Sequence, residues 1–199
     1  MIIGITGLPG SGKTYMLACR IGLTKIKQGI PVYANFSLEG AIRYNDLSEV
    51  YNVVNGVILI DEINLLCPSR FWQSFPPELL YMWAQSRKNG LDIYWTSQSE
   101  KRADVVIREV TNYVWVCSRL YPSMRDNTEV KKTMFPFEFF RASLFVPEEV
   151  GLIRRTALET HFFFLNKKLA SKYNTYEPVK VAEHLKRFSK SSSVFYQTL

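Results

Sequence analysis

Apolar positions along the chain fall into short runs separated by stretches with a helical repeat. Residues 2–6 (Ile-Ile-Gly-Ile-Thr) predict a short buried strand, residues 13–28 a helix ended by Gly29, and residues 31–36 a second strand. Residues 57–61 (Val-Ile-Leu-Ile-Asp) are apolar without alternation and end in an acid, the pattern of a parallel strand covered on both faces. The helix predicted over 77–88 is punctuated at both ends. Pro76 and Pro77 open it, Glu78 lies in its first turn, Arg87 and Lys88 lie in its last, and Asn89-Gly90 end it. A strand over 91–96, a helix over 101–110 and a strand over 113–117 follow. This alternation predicts an α/β fold, a three-layer sandwich around a doubly wound, mostly parallel sheet. After about residue 120 the pattern changes. Residues 135–140 and 142–146 are aromatic and β-like, suiting an appended hairpin or edge strands near the C-terminus, and residues 162–171 predict a short helix. No internal repeat or low-complexity linker interrupts the chain. One domain over 1–185 is expected, with 186–199, basic and serine-rich, as an exposed tail.

Composition narrows the picture modestly. At 199 residues and 47% hydrophobic content the chain suits one globular domain with a sizeable core. Its net charge of +7 fits a polyanionic partner such as nucleic acid. Many basic proteins have no such partner, so charge alone does not decide. Cys19, Cys67 and Cys117 are far apart and show no metal-ligand spacing, which suits free thiols in a reducing cytosol. No stretch reaches the ~20 apolar residues of a membrane span, and Met1-Ile2-Ile3 lacks the basic start of a signal peptide.

The chemistry concentrates in two places. Gly7-Leu8-Pro9-Gly10-Ser11-Gly12-Lys13-Thr14 is a complete Walker A phosphate cradle, set between a predicted strand and a predicted helix. The glycines let the backbone curl so that its N–H groups point at phosphate oxygens, and the helix adds its positive end. Lys13 should reach the β- and γ-phosphates of ATP, and the Thr14 hydroxyl should ligate Mg²⁺. The second place is the strand end Asp61-Glu62, at the carboxyl edge where open α/β sheets bind ligands. Asp61 would hold Mg²⁺ through water, and Glu62 would orient and polarise the attacking water. The alternative is an acidic strand end that merely faces solvent. Gln98, ending the next strand, would touch the γ-phosphate and the lytic water; otherwise it is an ordinary loop residue. Arg87 either complements its helix dipole or reaches a neighbouring subunit's nucleotide as an arginine finger.

The segment from Asp61 to Arg119 resembles the Zot-like branch of the FtsK–HerA P-loop ATPases. The resemblance is carried by Asp61-Glu62-Ile63-Asn64, Pro68-Ser69-Arg70, Arg87-Lys88-Asn89-Gly90-Leu91-Asp92-Ile93, Ser97-Gln98 and Ile107-Arg108. Late in the chain, Tyr173-Asn174-Thr175-Tyr176-Glu177 is similar to the ending of that domain. The resemblance implies a P-loop NTPase fold of the RecA/ASCE kind. It also implies a motor that drives DNA packaging or virion assembly, with Glu62 catalytic, Gln98 a sensor and Arg87 acting in trans. Filamentous-phage members commonly carry a transmembrane helix after the ATPase domain, and this chain ends without one.

The leading expectation is therefore a ring-forming ATPase that moves viral double-stranded DNA into a capsid in the host cytoplasm or on the virion. Its partners would be capsid or membrane-vertex proteins. The alternative is a filamentous-virus assembly ATPase. A nucleoside kinase fits less well, because Glu62 with Gln98 suits hydrolysis and no arginine-rich lid is evident. A non-catalytic nucleotide-dependent scaffold is disfavoured by intact Lys13, Thr14, Asp61 and Glu62.

Overall fold

Two runs too apolar to face water on either side set the centre of the molecule. Strand β1 (Ile2–Thr6) and strand β5 (Gly56–Ile60) are buried along their whole length, as parallel strands covered on both faces must be. The computed structural model describes residues 1–66, 77–99, 105–122, 137–147 and 156–174. Around the two central strands it places β2 (Val32–Ala34), β4 (Ile42–Arg43), β6 (Leu91–Ser97), β7 (Tyr113–Tyr121), β8 (Phe139–Phe145) and β9 (Glu159–Phe164). The order across the sheet is β4-β2-β5-β6-β1-β7-β8-β9. All pairings from β4 to β7 are parallel, and β7-β8-β9 continue antiparallel. A separate pair joins β3 (Ser37–Leu38) to β10 (Tyr173–Asn174).

Helix α1 covers one face. It is α-helical over Lys13–Tyr15, π-helical over Met16–Gly22 and α-helical again over Leu23–Lys27. The wider winding is visible where Leu23 N–H bonds the Ala18 carbonyl, five residues back. Four consecutive residues of this stretch, Met16 to Cys19, are buried. The sheet lies against one side, and the C-terminal segment lies against another, with the Cys19 thiol 3.3 Å from the Leu169 carbonyl oxygen. The other face packs on α2 (Ile63–Leu66), α3 (Pro77–Gln85) and α4 (Val105–Val110). The expected three-layer α/β sandwich is thus the observed fold.

Several expectations shift. The predicted helix over 162–171 is shorter than expected, because its first three residues belong to a strand. Phe162, Phe163 and Phe164 alternate across β9, with Phe163 buried against Phe140 and Tyr15 and its two neighbours exposed. Consecutive aromatics fill a pleated edge better than a helix. The helix starts only at α5 (Lys167–Ala170), where the Asn166 side chain caps Lys168 N–H at 2.9 Å. The helix predicted over 77–88 ends as α3 at Gln85, and a turn carries the chain back to β6, with Leu91 N–H bonded to the Ser86 carbonyl at 2.8 Å. The helix predicted over 101–110 is present as α4; residues 101–104 lie outside the described residues, as do Cys67, Pro68-Ser69-Arg70, Thr175-Tyr176-Glu177 and the tail at 186–199. The short strands β3, β4 and β10 were not anticipated. They run two residues each, too short for a periodic signal.

Candidate nucleotide site

The site forms at the carboxyl edge of the sheet because three neighbouring strands end there in polar residues. Ile60 of β5 is level with Trp95 of β6, and Thr6 of β1 is level with Ser97. One residue further along each strand, the Asp61 carboxylate meets the Thr96 hydroxyl, Gly7 opens the phosphate loop, and Gln98 follows Ser97. Strand order β5-β6-β1 therefore sets Gln98 between the acidic strand end and the phosphate loop.

The loop itself is curled as its glycines allow. Gly10 and Gly12 have φ of 73° and 87°, in the left-handed region, and Ser11 N–H turns back to the Leu8 carbonyl at 3.1 Å. Leu8, Pro9 and Gly10 are exposed at its crest, while Ser11 and Lys13 are buried beneath. The Lys13 ammonium is held 3.2 Å from the Leu8 carbonyl oxygen. Burial lowers its pKa, and Glu62, Asp61 and Cys117 partly restore it. A buried cation with its charge only partly compensated is suited to receive an anion. The buried Ser11 hydroxyl has no hydrogen-bond partner among the described residues, leaving one more polar group for a ligand to satisfy.

Asp61 is held from two sides. The Asn35 side chain, just beyond β2, accepts the Asp61 N–H at 2.8 Å and donates to the Asp61 carbonyl at 3.0 Å. The Thr96 hydroxyl donates to the Asp61 carboxylate at 2.6 Å and accepts the Glu62 N–H at 2.8 Å. Burial raises the pKa of Asp61, and hydrogen bonds from Thr96 and Thr14, the charge of Lys13 and the Glu62 backbone oppose that rise. Glu62 itself has φ of 50°, a left-handed conformation uncommon for a residue with a side chain. Backbone held in that region is a feature of working sites when surrounding bonds enforce it. The clamp by Asn35 and Thr96 on both sides of the Asp61–Glu62 peptide does so here.

The donors fit a magnesium ion. The Thr14 hydroxyl donates to the Asp61 carboxylate, its oxygen 3.2 and 3.4 Å from the two carboxylate oxygens, so the two residues would together offer the hard oxygens that Mg²⁺ takes, directly or through water. Among the described residues no three His, Cys, Asp or Glu side chains cluster as a metal cage. Mg²⁺ ordinarily relies on one or two protein oxygens, with phosphate and water completing its shell.

Lys13, Thr14, Asp61, Glu62 and Gln98 are thus brought to one edge. Arg87 is not. It is exposed in the turn after α3, where Gly90 N–H bonds the Arg87 carbonyl and the Asn89 carbonyl accepts Asn55 N–H just ahead of β5. That turn is at the amino end of β6, whose seven residues span ~20 Å to the edge holding the loop. Sequence reasoning missed Asn35 and Thr96. The available signal was the one that identified Asp61 and Gln98, a polar residue closing an apolar strand.

A phosphate loop between strand and helix, facing an acidic strand end across a doubly wound sheet, defines the P-loop NTPase fold. A family model described as zonular occludens toxin (Zot) matches residues 40–134, just under half of the chain. The N-terminal domain of zonular occludens toxin from Neisseria meningitidis has a similar structure, with a TM-score of 0.55 at 18% identity over 87% of this chain and 98% of that one. B204, the DNA-packaging ATPase from Sulfolobus Turreted Icosahedral Virus, has a TM-score of 0.54 at 13% identity over 80% and 96% of the two chains. No curated protein sequence matches the chain. The likeness to Zot-like domains read from residues 61–119 falls inside the matched segment. At these identities the two solved structures establish a shared fold.

Proposed function

We propose that this chain is an ATP-hydrolysing motor of viral genome packaging or virion assembly. One observation carries the reading: Lys13, Thr14, Asp61 and Glu62 converge at a single sheet edge, with the Asp61–Glu62 peptide clamped by Asn35 and Thr96. The loop amides and Lys13 bind the phosphates. Thr14 and Asp61 hold Mg²⁺, which when bound neutralises charge on the β- and γ-phosphate oxygens. Glu62 accepts the proton of the attacking water, and Gln98 positions that water beside the terminal phosphate. Arg87 serves a neighbouring subunit's nucleotide in a closed ring, since its own cradle lies at the opposite edge of the sheet.

The finer reading is translocation of double-stranded DNA into a capsid in the host cytoplasm. It draws support from the +7 net charge and from a fold shared with a protein described as a DNA-packaging ATPase. The second reading, virion assembly, draws on the match to the Zot family model. Among the described residues no helix is long and apolar enough to cross a membrane. Duplex binding measured across a salt series separates the two. Packaging predicts sequence-independent affinity whose logarithm falls linearly with the logarithm of salt concentration, as neutralised phosphates release counterions. Failure to bind duplex DNA at low salt would leave virion assembly as the better reading.

A further inference from the structure

The phosphate loop has two flanks. Toward β5 stand Asp61 and Glu62. Toward β7 and β8 stands a group with no role so far. Strand β1 stops at Thr6, level with Val116, whereas β7 continues to Tyr121, so residues 117–121 run on beside the loop. The approach is close on this flank. A methyl group on Gly7 would stand 2.4 Å from the Cys117 carbonyl oxygen, and one on Gly12 would stand 2.8 Å from the Phe140 ring.

Arg119 lies two residues beyond Cys117 and on the same face, ~7 Å further along the strand. It is in register with Phe140 of β8, and its guanidinium carbon lies 5.6 Å from the centroid of that ring. Its terminal nitrogen pairs with the Glu138 carboxylate. Its Nε is buried and has no hydrogen-bond partner among the described residues. A guanidinium offers five N–H donors in a planar fork, more than one carboxylate can take. The arginine is therefore held near an aromatic ring that touches the phosphate loop, with donor capacity left over.

We propose that Arg119 is a second cation of the nucleotide site, supplied by the same chain, that binds the phosphate nearest the nucleoside. The inference rests on the assignment of the loop as an ATP cradle. The terminal phosphate must face Glu62 and Gln98, so the extended phosphate chain carries its nucleoside end away from β5, toward β7 and β8. Arg119 stands on that flank. Glu138 neutralises it while no nucleotide is present and competes with the nucleotide for it. The Phe140 ring helps hold the guanidinium on this flank. Charge on the nucleoside-proximal phosphate changes little during hydrolysis, so Arg119 binds ground state and transition state alike. Its loss falls on KM rather than kcat.

The test is calorimetric affinity for ATP and ADP, together with steady-state kinetics, in three variants. Arg119→Ala should weaken both nucleotides about tenfold, the loss of one charge-assisted hydrogen bond, and raise KM by a similar factor. Glu138→Gln should act in the opposite direction and tighten both nucleotides, because it frees the guanidinium. A purely structural ion pair predicts instead that both variants lower the melting temperature of the nucleotide-free protein and shift affinity in the same direction. Should Arg119→Ala fail to fold, Glu138→Gln decides alone: tightening supports the proposal, and unchanged or weaker binding overturns it. Lys13→Ala is the control for the underlying assignment. If it abolishes binding while Arg119→Ala leaves affinity intact, this inference alone fails; if Lys13→Ala has no effect either, the cradle assignment fails first.

Discussion

Replacing Asn35 with alanine tests whether the acidic strand end is held in place as described. The Asn35 amide makes two hydrogen bonds to the main chain of Asp61, at 2.8 and 3.0 Å, and both are buried. Asn35 is 8% exposed and Asp61 6%, so water cannot readily replace the lost partner. Leaving a buried polar group unpaired costs about 1–3 kcal/mol, and two such groups with partial rehydration at the strand end cost about 2–4 kcal/mol. In a chain of this size each kcal/mol lowers the melting temperature by about 2–4 °C, so a fall of about 5–15 °C is expected. Differential scanning calorimetry of the nucleotide-free protein measures it. ATP turnover should fall by more than the stability loss accounts for at 25 °C, because the left-handed Glu62 loses one side of its clamp. Asn35→Asp should not rescue either property: a carboxylate can accept the Asp61 N–H but cannot donate to its carbonyl, and it adds a charge beside a buried acid. A melting temperature within one degree of wild type, with turnover unchanged, would refute the clamp.

Two further outcomes follow from the same geometry. Burial raises the pKa of Asp61, so its ionised form is disfavoured in the fold: the nucleotide-free protein loses stability as pH rises through the folded pKa and regains it as pH falls. Asp61→Asn should therefore raise the melting temperature of the nucleotide-free protein at neutral pH and flatten its dependence on pH, while removing Mg²⁺-dependent turnover; a lower melting temperature would contradict burial outweighing the bonds from Thr96, Thr14, Lys13 and the Glu62 backbone. Mixing Arg87→Ala subunits with Glu62→Gln subunits should restore part of the activity, because some interfaces then pair an intact Glu62 with an intact Arg87, and specific activity of the wild type should rise with concentration; a dead mixture with concentration-independent activity would make Arg87 a residue of the turn after α3 only.

The central strands were legible because their burial on both faces leaves continuous apolar runs, as in residues 2–6 and 57–61. The cradle was legible for a different reason: its backbone geometry demands glycine at fixed places, so the constraint is written into residue type. What escaped were contacts between residues distant in sequence. Asn35 meets Asp61 across 26 positions and Thr96 meets it across 35, and neither residue type announces such a role. Arg119 is harder still, since its neighbours Glu138 and Phe140 lie in a stretch that sequence patterns marked only as aromatic and β-like. The phenylalanine run at 162–164 falls inside the helix predicted from sequence because a short apolar stretch carries no period of its own. Register with β8 decides it, placing Phe163 on Phe140 and leaving its neighbours outside.

The most direct measurement of the central claim is ATP binding and turnover in wild type, Lys13→Ala and Glu62→Gln, each with Mg²⁺. Wild type should bind and hydrolyse ATP. Lys13→Ala should lose affinity, because the charge on the β- and γ-phosphates is gone. Glu62→Gln should bind ATP as wild type does and turn it over ~10²-fold more slowly or worse, as loss of a general base requires. Wild-type turnover in Glu62→Gln, or equal ATP affinity in Lys13→Ala and wild type, would contradict the account.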